Sequence, residues 1–330
     1  MRAVVLREPG PVENLELKDL PLPQAKPGWV RIAVKAFGLN RSELHTRLGL
    51  AEGVTFPRVP GIEAVGVVDA APDGDFEPGQ QVATMMGGMG RTFDGGYAEY
   101  TLVPREQVVP FHSELPWEVL GQVPETLQTA YGSLTTGLDL KEGQTLLIRG
   151  GTSALGFATA TLARDLGATV FATTRQPDRL DTLAEHGVEH PLLDDGDVAA
   201  QVREIVPDGV DAALELVGTP TLPDTLAATR VHGTVCFTGM LSNQWIIPNF
   251  YPIGFLPTGV RLTAYGGEAD DLPASVLQRY LDRIATGGVS LGPARVYPME
   301  AIRQAHDDLE HNRTAGKLVV LTGRAEGAAP

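Results

Sequence analysis

The feature that most constrains the fold is a run of apolar segments that alternate with helical patterns from about residue 114 onward. Segment TLLIRG (145–150) predicts a strand, apolar side chains then recur at helical spacing from Leu155 to Leu166, and TVFATT (169–174) predicts the next strand. Further strands are predicted at 190–194, 211–216, 233–239 and 261–265. Strands that alternate with helices form a parallel sheet covered on both faces, so this part predicts a doubly wound α/β unit.

The first 110 residues and the end of the chain follow another pattern. Short apolar runs cut by Gly and Pro predict an antiparallel, β-rich domain at the start. A helix at 299–310, a turn at 314–316 and a strand at 317–321 are predicted near the end, and residues 324–330 are expected to fray. The expected domains are a discontinuous β-rich domain of residues 1–118 and 268–330, and an α/β domain of residues 119–267.

Composition excludes several classes of protein. The chain has 26 basic and 41 acidic residues, a net charge of −15, which is poorly suited to binding the phosphates of nucleic acid. Its one cysteine, Cys236, cannot form an intramolecular disulfide and is expected to be buried and inert. No apolar run is long enough to span a membrane, so we expect a cytoplasmic protein.

A glycine-rich loop lies between the first predicted strand and helix of the α/β unit. In such a loop, backbone amides approach a pyrophosphate at the start of a helix. The motif alone is weak evidence, because it departs from strict G-x-G-x-x-G. The candidate cofactor-binding residues here are Gly150, Gly151, Thr152, Ser153, Ala154, Leu155 and Gly156.

The end of the second predicted strand bears on which dinucleotide would bind. Sites that prefer NAD have an acidic residue here for the ribose 2′-hydroxyl, whereas this chain has Thr174 and Arg175. A guanidinium can bind a 2′-phosphate, and Arg179 offers a second positive charge. The residues therefore favour NADPH, with the alternative that Arg175 is only a solvated loop residue.

Several spaced motifs together resemble one family. They are the β-rich start, GLNRSE (38–43), PGIEAVG (60–66), GGTSALG (150–156), ELVG (215–218) and GKLVVL (316–321). The chain resembles the medium-chain dehydrogenase/reductase superfamily, and within it the zinc-independent quinone oxidoreductase and enoyl reductase branch. This resemblance implies a GroES-like catalytic domain, a Rossmann dinucleotide-binding domain, and an NADPH-dependent reductase that transfers hydride to a quinone or an activated C=C bond.

The chain departs from the zinc alcohol dehydrogenases of the same superfamily. Asn40 stands where those enzymes have a metal-binding cysteine, and Ile62 stands where they have a histidine. Isoleucine cannot bind zinc, so no metal site is expected. Without a Lewis acid, alcohol oxidation loses its main support, whereas reduction of an enone or quinone can rely on hydrogen bonds. Recruitment of a metal through other residues remains an alternative.

The resemblance also implies roles for two residues near the substrate. Asn40 is expected to orient the substrate carbonyl or the cofactor, or only to cap the turn after Gly38. His45 stands where the family often has tyrosine, and it either protonates the enolate after hydride transfer or faces solvent on a short helix.

Other positions carry over from the family with less support. Thr129 matches a threonine beside the nicotinamide, Gly239 and Met240 follow a strand at the ligand edge of the sheet, and Lys317 matches a residue near the cleft. The alternative is that Lys317 is only a solvated charge at the edge of a sheet. The apolar segment 245–256 is expected to line a pocket for a hydrophobic substrate and lead into a dimer-forming strand, or else to pack between domains.

Two questions stay open at this point. A non-catalytic NADPH-binding sensor or structural protein is the alternative to an enzyme, because fold does not fix function. A homodimer is expected from the family, with a homotetramer as the alternative. RNA binding, which some relatives show, is disfavoured by the negative charge.

Overall fold

The computed structural model describes residues 1–313 and 316–323, except for the side chain of residue 269, and it divides them into two compact units. Unit 1 comprises Met1–Glu125, Glu268–Gly288 and the described residues from Pro293 onward, and unit 2 comprises Thr126–Gly267 and Val289–Gly292. The expected frayed tail and two residues of the expected turn at 314–316 lie outside the described residues. The domain boundaries remain a prediction, because compactness does not show that either part folds alone.

The elements are numbered in chain order. The strands are β1 (Arg2–Leu6), β2 (Leu15–Asp19), β3 (Trp29–Leu39), β4 (Glu63–Ala70), β5 (Gln81–Met85), β6 (Tyr100–Pro104), β7 (Val108–Pro110), β8 (Thr145–Arg149), β9 (Thr169–Thr174), β10 (His190–Leu193), β11 (Val210–Glu215), β12 (Thr229–Phe237), β13 (Arg261–Ala264), β14 (Ala294–Pro298) and β15 (Lys317–Leu321). The helices are α1 (Arg41–Arg47), α2 (Trp117–Leu120), α3 (Pro124–Gly132), α4 (Ala154–Asp165), α5 (Leu180–Glu185), α6 (Val198–Ile205), α7 (Leu222–Ala228), α8 (Pro252–Phe255), α9 (Ala274–Ala285) and α10 (Ile302–Glu310).

Unit 1 is built on a mixed, mainly antiparallel sheet. The strand order is β14-β15-β3-β4-β5-β7, with β6 also paired to β3 and a separate β1-β2 ribbon. The long strand β3 alternates buried and less buried residues along its first half, as expected for a strand with one face on the core. Phe37 from β3 stacks on Tyr97 at a ring-centroid distance of 4.5 Å within this core. The predicted β-rich domain is confirmed.

Unit 2 is a doubly wound parallel sheet, as the sequence predicted. Its order is β10-β9-β8-β11-β12-β13, and all neighbouring strands run parallel. Leu146 and Ile148 of β8 join one apolar cluster, while Leu147 between them joins another with Phe171 of β9. Because successive side chains of a strand point to opposite faces, both faces of the sheet are buried. The order reverses between β8 and β11, which is where sheets of this kind bind ligands.

Some residues of the apolar segment 245–256 pack on the protein core, and others are exposed to solvent. Ile247, Phe255 and Leu256 contact the apolar core of unit 2, whereas Ile253 is 85% exposed and Tyr251 is also exposed. Cys236 is buried, as predicted. No helix in the part of the chain that the structure describes is long and apolar enough to cross a membrane.

Candidate functional site

The glycine-rich loop of unit 2 joins β8 to α4 in a conformation that needs glycine. Gly150 has a φ of +89°, a backbone region that side chains disfavour. A Cβ atom on Gly151 would lie 2.7 Å from Cβ of Ala172, and a Cβ on Gly156 would lie 2.4 Å from the carbonyl oxygen of Gly151. The loop is therefore held close to β9 and to the first turn of α4.

Helix α4 begins with a side-chain cap. Ser153 is the N-cap residue, and its Oγ accepts a hydrogen bond of 3.0 Å from the Gly156 amide. The first amides of any α-helix lack helical carbonyl partners, so Ala154 and Leu155 present N–H groups at this end. Together with the helix dipole, these groups stabilise an anion such as a phosphate.

A pocket opens over this loop at the carboxyl ends of the parallel strands. The lining residues come from the end of β9 and from the loops that follow β8, β9, β10, β11 and β12. The pocket therefore lies at the position where the strand order reverses. Arg175 is exposed there and brings a positive charge. The lining residues are Gly150, Thr152, Ser153, Thr173, Thr174, Arg175, Asp194, Val217, Leu241 and Ser242.

The predicted cofactor residues fall into two groups around this pocket. Those that line it are Gly150, Thr152, Ser153, Thr174 and Arg175. Those that do not line it are Gly151, Ala154, Leu155, Gly156, Arg179, Gly239, Met240, Thr129 and Lys317. Gly151, Ala154, Leu155 and Gly156 belong to the same loop and first turn of α4 as three of the lining residues, and Gly239 and Met240 immediately precede Leu241. The binding roles of all these residues stay predictions.

Thr129 and Arg179 lie elsewhere in unit 2. Thr129 is buried on α3, and its Oγ1 donates to the side-chain oxygen of Gln128 at 3.2 Å. Arg179 is half-buried in a 3-10 turn, Pro177–Arg179, which directly precedes α5.

Sequence reasoning missed Asp194, the acidic residue that lines the pocket. It follows β10, and its carboxylate accepts two hydrogen bonds from Arg149, of 2.7 and 2.8 Å. Arg149 is the last residue of β8, and its side chain is only 1% exposed. An acidic residue at the carboxyl end of the strand predicted at 190–194 was the available signal for Asp194, because ligands bind at that edge.

Unit 1 holds the other predicted residues in a buried polar cluster. Asn40 is the N-cap residue of α1, and its Nδ2 donates to Glu63 Oε1 at 3.0 Å. Lys317 Nζ donates to Asn40 Oδ1 at 2.5 Å and lies 2.8 Å from Glu63 Oε1 and 3.3 Å from Glu125 Oε2. Because its oxygen and its nitrogen both have partners, the Asn40 amide has a fixed orientation. The capping role was the alternative expected for Asn40, whereas its contact with Lys317 was not expected.

The charges in this cluster shift one another's ionisation. Burial alone would lower the pKa of Lys317, but Glu63 and Glu125 more than offset it, so the pKa of Lys317 is raised. Burial raises the pKa of Glu43 to about 7, opposed by hydrogen bonds from the backbone amides of Ile62 and of Glu43 itself. Lys317 is therefore a permanent buried cation, and the expectation of a solvated edge charge is wrong.

His45 is buried on α1, with 7% of its surface exposed. The alternative in which it faces solvent is therefore wrong, because the short helix packs its later residues inward. Its role as a proton donor stays a prediction. Within residues 1–313 and 316–323, no group of three or more His, Cys, Asp and Glu side chains is arranged to hold a metal ion.

Two family models match the chain. Residues 26–113 match the alcohol dehydrogenase GroES-like domain, and residues 154–281 match the zinc-binding dehydrogenase family. The first match lies in unit 1, and most of the second lies in unit 2.

Relatives match over nearly the whole chain. A quinone oxidoreductase from Sus scrofa is 27% identical over 97% of this chain and 98% of its own length. A 2-haloacrylate reductase from a Burkholderia species is 26% identical over 97% of this chain and 98% of its own length. A mycobacterial protein solved in complex with NADPH is 25% identical, with a TM-score of 0.83, and the match covers 98% of this chain and 100% of that protein.

Proposed function

Because the chain belongs to the quinone oxidoreductase-like branch of the medium-chain dehydrogenase/reductase superfamily and is an oxidoreductase, we propose that it transfers a hydride from NADPH to a small hydrophobic quinone or enone. The observation that carries this proposal is the pocket of unit 2. It combines a glycine-rich loop, the start of α4 and the exposed Arg175 at the edge of a parallel sheet where the strand order reverses.

The residues of the pocket fit NADPH better than NADH. The amides at the start of α4 suit a pyrophosphate, and the glycines leave room for it to approach the backbone. Arg175 offers a planar guanidinium that can bind a 2′-phosphate through two hydrogen bonds. The relative solved in complex with NADPH supports the same choice.

The residues of unit 1 supply orientation and a proton. When bound, the cofactor supplies the hydride. We assign to Asn40 the orientation of the acceptor, with its amide held in place by Lys317 and Glu63, and to His45 or a water the delivery of the proton. Asn40 and Ile62 replace metal-binding residue types, which favours reduction of a polarised C=C bond or quinone over oxidation of an alcohol.

The test follows the oxidation of NADPH and NADH by the nicotinamide absorbance, with one ortho-quinone, one cyclic enone and one 2-enoyl thioester as acceptors. We expect fast NADPH oxidation with at least one acceptor and weak use of NADH. Arg175→Ala should reduce the preference for NADPH, while Arg203→Ala, which removes an exposed arginine outside the pocket, should not. Equal use of both cofactors, or an unchanged preference in Arg175→Ala, contradicts the proposal.

One observation favours a second candidate, a protein that binds NADPH without catalysis. The Asn40 oxygen accepts from Lys317 and its nitrogen donates to Glu63, so the amide already has protein partners at both ends. If NADPH binds tightly but no acceptor in the panel is reduced, this candidate replaces the reductase.

The proposal includes a homodimer in the cytoplasm. Strand β13 lies at one end of the parallel sheet, and exposed apolar side chains at Ile246, Tyr251 and Ile253 precede it in the chain. Light scattering after gel filtration should give twice the mass of the 35.1 kDa chain. The mass of one chain or of four chains contradicts a dimer.

A further inference from the structure

Arg149 is one of the largest fully buried side chains of the described residues. It ends β8 and immediately precedes the glycine-rich loop. Its Nε and Nη2 donate to the two oxygens of Asp194 at 2.7 and 2.8 Å, and its Nη1 donates to Asp224 at 2.6 Å. Burying a guanidinium is costly, so this arrangement requires the two carboxylates beside it.

The two carboxylates differ in what else surrounds them. Asp224 also accepts hydrogen bonds of 3.1 Å from the amides of Val198 and Ala199 at the start of α6, where the helix dipole favours a negative charge. Asp194 lies at the pocket and shares its lining with Arg175. The charge of Asp194 is therefore balanced mainly by Arg149, which lies outside the lining.

A carboxylate in this pocket bears directly on the choice of dinucleotide. An unpaired carboxylate accepts hydrogen bonds from ribose hydroxyls and repels a phosphate, which is why sites for NAD carry one. In this chain both oxygens of Asp194 already accept hydrogen bonds from Arg149. Little of their hydrogen-bonding capacity remains for a ribose, and most of the negative charge is compensated. The pocket can then accept the 2′-phosphate in addition to the pyrophosphate, although an acidic residue lines it.

We propose that Arg149 is a positioning residue that determines cofactor specificity: by holding and neutralising Asp194 from behind the pocket, it allows the pocket to take the 2′-phosphate of NADPH. This inference rests on the proposed use of NADPH, and it adds a residue that does not contact the cofactor. Like charges a few ångströms apart near a protein surface change an affinity by about tenfold or more, which sets the size of the expected effect.

The experiment measures the dissociation constants of NADPH and NADH by calorimetric titration, without any acceptor. In Arg149→Gln the preference for NADPH should fall by about tenfold or more. In Asp194→Asn it should rise by about threefold or more, because Arg149 then has a positive charge that only Asp224 balances. The double variant should lie near the wild type. Arg230→Gln breaks another arginine-aspartate pair of unit 2, with Asp211, and should leave the preference unchanged.

The outcomes separate this inference from the proposed function. If the wild type does not bind NADPH more tightly than NADH, the cofactor assignment itself fails. If the wild type prefers NADPH and either folded single variant keeps that preference within about twofold, the role of Arg149 is overturned while the proposed function stands. Circular dichroism checks folding, and if Arg149→Gln does not fold, the comparison of Asp194→Asn with the double variant decides the matter, because their preferences differ only if Arg149 has the proposed role.

Discussion

The buried ammonium of Lys317 should be essential for the stability of unit 1, and Lys317→Met tests this by removing the charge while keeping most of the side-chain stem. Lys317 is 6% exposed and Glu63 is fully buried. The Nζ atom lies 2.8 Å from Glu63 Oε1 and 3.3 Å from Glu125 Oε2. At an effective dielectric constant of about 20, these distances correspond to attractions of about 6 and about 5 kcal/mol, most of which offsets the desolvation of the charges.

Removing one partner of a buried pair leaves the other charge uncompensated, so we expect the free energy of unfolding to fall by about 3–5 kcal/mol. Urea unfolding followed by circular dichroism measures this loss. The double variant Lys317→Met/Glu63→Gln should regain most of it, because the fully buried carboxylate is then gone and the remaining Glu125 is partly exposed. Lys141→Met removes an exposed lysine that pairs with Asp139 and should have no measurable effect.

The pH dependence of the same variant gives a second test. In the wild type, burial acts to lower the pKa of Lys317, but the carboxylates around it raise the pKa above the unfolded value of about 10.4. A raised folded pKa means that the stability that the charged lysine contributes is fully present below the unfolded pKa and is lost as the pH rises above it. Lys317→Met lacks this contribution, so its deficit relative to the wild type should be larger at about pH 8 than above about pH 10.5. The reasoning is refuted if the deficit does not depend on pH or does not exceed that of Lys141→Met.

Three further outcomes are expected. Burial raises the pKa of Glu43 from 4.5 to about 7, so the stability that its protonated form contributes is lost as the pH rises between these values. Glu43→Gln should make the free energy of unfolding less dependent on pH in that window. If urea titrations show an unchanged slope of this free energy against pH, the expectation is contradicted. Ser153→Ala removes the cap of α4 and should cost about 1 kcal/mol in thermal unfolding, against no change for the exposed Ser290→Ala. Gly156→Ala places a Cβ 2.4 Å from the Gly151 carbonyl oxygen and should weaken NADPH binding by about tenfold, whereas Gly266→Ala, with open space around it, should not; equal binding by the two variants counts against a tightly shaped loop.

Local pattern was sufficient to predict unit 2. Segment TLLIRG predicted a strand that the structure has at Thr145–Arg149, and the glycine-rich loop follows it as expected. The reason is physical: a strand buried on both faces must be apolar throughout, and the loop needs glycine because a Cβ would collide with its neighbours. Strand β12 begins at Thr229, four residues before the predicted start at 233, because exposed residues such as His232 interrupt the apolar pattern there.

The hydrogen-bond partners of the polar site residues could not be predicted from local sequence pattern. Arg149 fell within the predicted strand TLLIRG and was given no role, because Asp194 and Asp224 lie 45 and 75 residues away. Asn40 was singled out, but its contact with Lys317 spans 277 residues and depends on how β15 pairs with β3. Such contacts follow from the register of strands distant in sequence, which neither composition nor periodicity encodes.

The pairing of β15 with β3 also has a consequence for synthesis on the ribosome. Leu318 to Leu321 pair with Leu39 to Ala36, so the large sheet of unit 1 lacks an interior strand until these late residues have been translated. By then nearly all of unit 2 has emerged from the exit tunnel and can fold, since domains fold as units during elongation. Until then the nascent chain exposes the part of the β3 edge that β15 later covers, and unpaired strand edges of this kind promote aggregation.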